Sequence, residues 1–211
     1  IGNFILETGS IPTNDHFSFT KLGDPLTPHE WLSQVIFSLS ERIAGLDGVV
    51  MLVGIILGLS YWVSYRTSMV LGRMHLIAII LVMLAAAASS LHWLARPHIF
   101  TILLAAFWLL QLEKVRLGSE GKWFIFPIMM LFWVNLHGAF LAGFVIWACY
   151  FVGMIDFSVQ PWKFNRTLLY AGFASIVISM LNPSGLGVWK VGFDFLSNRY
   201  LVGHTAEYLP P

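Results

Sequence analysis

Charge is what this 211-residue sequence has least of: 12 Lys and Arg with 11 Asp and Glu make up only 11% of the chain. A soluble domain carries about 25%, so an ordinary soluble domain is excluded. The net charge of +1 removes any argument for a nucleic-acid partner. Cysteine is scarce too. Cys149 stands alone inside an apolar run, which rules out an intrachain disulfide and leaves the redox compartment unread. HxxxH, HExxH and CxxCH spacings are missing, so the seven histidines carry no metal or haem signature. No predicted span has an acidic residue at its centre, which argues against a proton-coupled pump. The chain opens at Ile1 without a signal-peptide pattern and stops at Pro211, and it reads as a piece of a longer protein.

What the chain has is apolar residues, 57% of the total, with a mean hydropathy of +0.75. Apolar runs near the ~20 residues needed to cross a membrane recur along it. The expected fold is all-α: a polytopic transmembrane bundle of about six spans, with interfacial helices on the extracytoplasmic side. The spans are expected at 46–66, 73–94, 97–117, 122–137, 138–156 and 164–182. Residues 1–45 form an extracytoplasmic loop and an amphipathic helix, 29–44, which Thr27-Pro28 should start as N-cap and first helical residue. Residues 183–211 form a surface segment, with a second interfacial helix over 183–198. The Asn135-Leu136-His137-Gly138 stretch reads as a tight hairpin between two spans.

Lysine and arginine near the span ends set the orientation. Arg66, Arg73, Lys114, Arg116, Lys122, Lys163 and Arg166 collect on one set of joins, which is assigned to the cytoplasm. That puts 1–45, 92–98, 135–138 and 183–211 outside, as expected in a bacterial inner membrane. Six of the seven histidines then share the outer face, His75 being the exception. Asp15, Asp24, Glu30, Arg96, Asn135, Asn182 and Glu207 join them. Polar groups beside lipid are costly, so such a cluster is a functional signal.

Each member also has a plain structural use. Asp15 and Asp24 sit in turn contexts, and Glu30 lies in a first helical turn, where the helix dipole favours it. Arg96 is suited either to snorkel to headgroups or to clamp a phosphate. His137 fits a helix end, and Asn182-Pro183 is a helix stop.

Several phrases recur in a fixed order: GSIPTNDHFSFT, GDPLTPHEWLSQV, ARPHIF, WVNLHGAFLAG, LNPSG and AEYLPP. In that order the chain resembles a broad group of bacterial polytopic proteins similar to the GT-C superfamily of membrane glycosyltransferases. That superfamily includes protein O-mannosyltransferases and aminoarabinose transferases. The resemblance implies sugar transfer from a polyprenyl-phosphate donor outside the cytoplasm. It also implies an acidic motif, with its span, upstream of Gly2–Leu6 and so before residue 1. Asp15 and Glu30, with His137, are then the catalytic candidates within the chain. His29, His92, Arg96, His98, Asn135 and Asn182 are the substrate-binding candidates. No metal ligand is assigned, and a divalent cation stays open as a cofactor. The expected partners are membrane lipid and the lipid-linked sugar. The alternative is a non-catalytic subunit of a membrane complex, partnered by its other subunits; a lipid-binding protein or transporter is a third reading.

Overall fold

The computed structural model describes residues 1–118, 122–155 and 165–198. Among them every regular element is a helix, and the only β pairing is an isolated bridge between Asn14 and Pro25. The helices are α1 (Gly2–Thr8), α2 (Trp31–Gly72), α3 (His75–Ala88), α4 (His98–Arg116), α5 (Ile125–Leu136), α6 (Leu141–Gly153), α7 (Arg166–Ile178) and α8 (Gly187–Ser197). Single 3₁₀ turns at Ser90–His92 and Gly138–Phe140 complete the joins.

α2 is two predicted elements in one. Its backbone leaves helical geometry at Ala44 and Gly45, where Gly45 takes φ +61°, a region open to glycine at little cost. The break falls between the expected amphipathic helix and the first expected span. The helix start differs from expectation. Thr27-Pro28 does not cap it; the chain makes one more turn, Trp31 N–H donates to Pro28 O at 3.2 Å, and Glu30 becomes the N-cap. The far end runs on to Gly72, beyond the expected 66.

The all-helical expectation is met among the described residues, but the count of six spans is not supported. α2 and α4 are long and apolar enough to cross a membrane. His75–Ala88, Ile125–Leu136, Gly138–Gly153 and Arg166–Ile178 are apolar but shorter. At ~1.5 Å per residue, α5 with its 12 residues rises too little to cross a ~30 Å core alone.

Two apolar cores hold the helices. Val53, Ile56 and Leu57 of α2 pack with Ile99 and Phe100 of α4 and Leu136 of α5. Trp108, Phe126, Met130, Trp133, Phe140 and Leu168 join α4, α5, the 138–140 turn and α7, with Phe144 and Trp147 of α6 packed against them. Tryptophans lean on glycines between these helices: a Cβ on Gly143 would sit 2.8 Å from the Trp133 ring, and one on Gly172 would overlap the Trp147 indole. Trp147 Nε1–H also donates to Leu168 O at 2.9 Å, which pins that ring. Gly172→Ala is therefore expected to cost ~1–3 kcal/mol by overpacking, read as a lowered unfolding midpoint in detergent. An unchanged midpoint would show that the α6–α7 contact is slack.

One acidic group missed by span composition lies in this bundle. Glu113, near the end of α4, is buried, accepts a hydrogen bond from Tyr150 Oη on α6, and pairs with Arg116 at 2.8 Å. By contrast α3 buries only Ala78 and exposes Leu76, Ile80, Leu81, Met83 and Leu84.

Candidate functional site

The residues expected at the site fall into separate groups. The first lies where the start of α2 meets the end of α5. His137 ends α5 in an extended conformation (φ −158°, ψ 141°), which swings its ring out of the helix and toward α2. Its Nε2 lies 3.4 Å from Glu30 Oε1, and His29 Nε2 lies 3.8 Å from the same oxygen. Gly138 does not use the positive φ that a tight reversal suggested. It serves instead by close approach, since a Cβ there would stand 3.2 Å from the His29 ring.

The protonation of His137 follows from its partners. Trp133 Nε1–H can only donate, and it does so to Thr101 Oγ1 at 2.8 Å. The Thr101 hydroxyl then donates to His137 Nδ1 at 2.9 Å, and Ala139 N–H points at the same nitrogen from 3.4 Å. Nδ1 is thus an acceptor, so neutral His137 carries its proton on Nε2 and aims it at Glu30. Both ring nitrogens are occupied. In this geometry His137 orients the carboxylate, and Glu30 is the group able to accept a proton. His29 Nδ1–H is held by Thr27 O at 3.2 Å.

The second group is a clamp beneath the first. Asn135 Oδ1 accepts from Trp31 Nε1–H at 2.8 Å and from Asn182 Nδ2 at 3.2 Å. Asn135 Nδ2 donates to Leu131 O at 2.8 Å and Leu181 O at 3.0 Å. Asn182 Nδ2 also reaches Val134 O at 3.1 Å, and its Oδ1 accepts from Ser184 N–H at 2.9 Å. Both amides are buried and satisfied. They tie the start of α2 to the ends of α5 and α7 and do not face a ligand.

Beside Glu30 runs an open groove of about 510 Å³, lined among others by Glu30, Gln34, Ser38, Glu41, Ala95 and Pro97. Gln34 Oε1 is buried with no hydrogen-bond partner among the described residues. Glu30 and Glu41 offer acceptors for a hydroxyl or amine donor, beside an apolar wall that includes Phe37, Leu46 and Val49. Arg96 is exposed next to it. His92 and His98 meet ring edge to face at 6.3 Å, and His98 Nε2–H donates to His92 O at 2.7 Å.

Asp15 serves its own loop. It accepts from Ser18 Oγ, from Phe17 N–H at 2.8 Å and from Ser18 N–H at 2.9 Å. These bonds, the Ser18 hydroxyl first, hold its carboxyl below its usual pKa of 3.8. A lowered pKa stabilises the folded loop fully above that usual value and is lost as pH falls through the folded pKa. The Phe17 and Ser18 amides should therefore keep their hydrogen-exchange protection at pH 5 and lose it only in stronger acid. Loss of protection already between pH 5 and 6 would show that the Asp15 contacts do not hold the loop.

Trp31, Thr101 and Trp133 were not singled out from sequence, although Trp31 and Trp133 lie inside the HEW and WVNLHG phrases and Thr101 follows ARPHIF directly. Among the described residues no group of His, Cys, Asp and Glu is arranged to hold a metal ion. His204 and Glu207 lie outside the described residues. No protein-family model, curated protein or solved structure matches the chain.

Proposed function

We propose that this chain is the membrane-embedded part of a GT-C-like glycosyltransferase that takes its sugar from a polyprenyl phosphate at the extracytoplasmic face. The observation that carries the proposal is the Glu30–His137 pair, with Glu30 lining a groove at the end of the bundle. The membrane part of the reading rests on α2 and α4 and on the exposed apolar surface of α3, which water would penalise. In this reading all six apolar segments lie within lipid, with the shorter helices extended by their flanking residues. Positive charge at the other end sets the orientation.

Glu30 is the general base. It takes the proton from the acceptor hydroxyl or amine as that atom attacks the sugar's anomeric carbon. The bond from that carbon to the phosphate oxygen breaks, and the polyprenyl phosphate leaves with the electron pair. His137 holds the carboxylate in line through its Nε2–H. Arg96, exposed between the groove-lining Ala95 and Pro97, is the cation assigned to the departing phosphate. The test is release of polyprenyl phosphate by the full-length protein in nanodiscs, supplied with polyprenyl-phosphate sugar and candidate acceptors. Release that depends on Glu30 supports the reading. Release unaffected by Glu30→Gln overturns the Glu30 site, and fixed-stoichiometry assembly into a larger complex with no release at all overturns the enzyme reading in favour of an accessory subunit.

A further inference from the structure

The opposite end of the bundle carries a second groove, of about 450 Å³, lined by Arg66, Met69, Val70, Arg73 and Leu117. We propose that it binds the phosphate of an anionic phospholipid, with the two guanidiniums on the phosphate and the three apolar side chains on the glycerol and upper acyl chain.

Arg66 lies on the last turns of α2 and Arg73 caps its end, and both line the same groove. Neither makes an ion pair among the described residues, whereas Arg42 and Arg116 hold Glu7 and Glu113. The Arg66 guanidinium stacks over the Trp62 ring, 5.6 Å from its centroid, which orients its plane and leaves its edge N–H groups to a ligand. Arg73 is the only non-glycine described residue at positive φ, +52°, and its N–H closes α2 on Met69 O at 3.2 Å. That conformation usually falls to glycine or asparagine and disfavours an arginine. Its side chain is exposed and adds no core packing to offset the strain. A charged ligand shared with Arg66 would offset it.

The occupant is a lipid and not a free phosphate for two reasons. Three of the five lining side chains are apolar, and a soluble anion has no use for them. The groove also opens among exposed apolar neighbours, Leu71, Met74 and Leu76, which place it at an apolar surface. Its charged residues are two arginines, whereas those of the Glu30 groove are Glu30 and Glu41. The inference therefore stands apart from the sugar-transfer reading.

The test is native mass spectrometry of the full chain in detergent, titrated with phosphatidylglycerol, phosphatidylcholine or inorganic phosphate. One phosphatidylglycerol should be retained per chain, and Arg66→Gln with Arg73→Gln should weaken it at least tenfold while leaving phosphatidylcholine unchanged. Arg73→Gly guards against a folding artefact: it relieves the positive-φ strain, so the protein should unfold no more easily yet still lose the lipid. Lys122→Gln, a cation on the same set of joins, should change nothing. Equal retention by the double variant, or equal loss in Lys122→Gln, would overturn the site. Displacement by millimolar inorganic phosphate alone would overturn the lipid assignment.

Discussion

Glu30→Gln is expected to lower sugar transfer by ~10²–10⁴-fold, the range ascribed to a positioned acid or base, while the chain stays folded. Glutamine keeps the size and shape of glutamate, so His29, His137 and the Ser33 hydroxyl, which donates to the Glu30 carbonyl, retain a neighbour of similar form. What it loses is the site for a proton. The amide oxygen can still accept from His137 Nε2–H, so ground-state geometry should survive and substrate affinity should move little. The loss should fall on kcat. His137→Gln is the companion measurement. It removes the orienting donor but leaves the carboxylate, so its loss should be smaller and should carry a shift in the pH dependence of kcat. Thr101→Val should resemble His137→Gln, because Thr101 fixes which nitrogen of His137 bears the proton. A Glu30→Gln enzyme with wild-type kcat would end the general-base assignment.

The second large effect concerns stability. Asn135→Leu should lower the unfolding free energy by ~2–5 kcal/mol, since each buried polar group left without a partner costs ~1–3 kcal/mol. The substitution strands the Trp31 indole N–H and the Leu181 carbonyl and takes one acceptor from Asn182. Leu131 O and Val134 O lose less, Leu131 O because it also lies in the α5 ladder and Val134 O because its bond from Asn182 is kept. The volume is roughly conserved, so the cost is one of hydrogen bonding and not of packing. A double-mutant cycle with Trp31→Phe isolates the indole bond. The two losses should add to more than the double variant shows, with a coupling of ~1 kcal/mol. Strict additivity would mean that Trp31 and Asn135 do not act together in the folded protein.

Helix positions were legible because apolar runs and their Gly, Pro and charged punctuation are local. The break at Ala44–Gly45, the starts of α4 and α7 and the surface segment at α8 lie within a few residues of where the pattern put them. Crossing was less legible, because it depends on where a helix stops: α3 ends at Ala88, short of the 94 expected for that span. Site pairings were the least legible. The Trp31–Asn135 bond spans 104 positions, and only the crossing of α2 with α5 creates it. The same limit hid the roles of Thr101 and Trp133, whose meaning comes from a histidine on another helix. Asp15 and Glu30 were both catalytic candidates on the outer side, and the structure separates them because Asp15 folds back on Phe17 and Ser18 while Glu30 meets His137.

The interruption in α2 has a mechanical consequence. A continuous helix is a stiff rod, and tilting one end swings the other by an amount that grows with length. α2 spans 42 residues, ~60 Å at 1.5 Å per residue. Were it unbroken, a change in bilayer thickness that tilted the deep half would sweep Glu30 away from His137. With Ala44 and Gly45 acting as a universal joint, the half that carries Glu30 is anchored by Trp31 to α5 and by Phe37 to α4 rather than by the deep half of α2. The carboxylate–imidazole distance is thereby insulated from the thickness of the lipid around it.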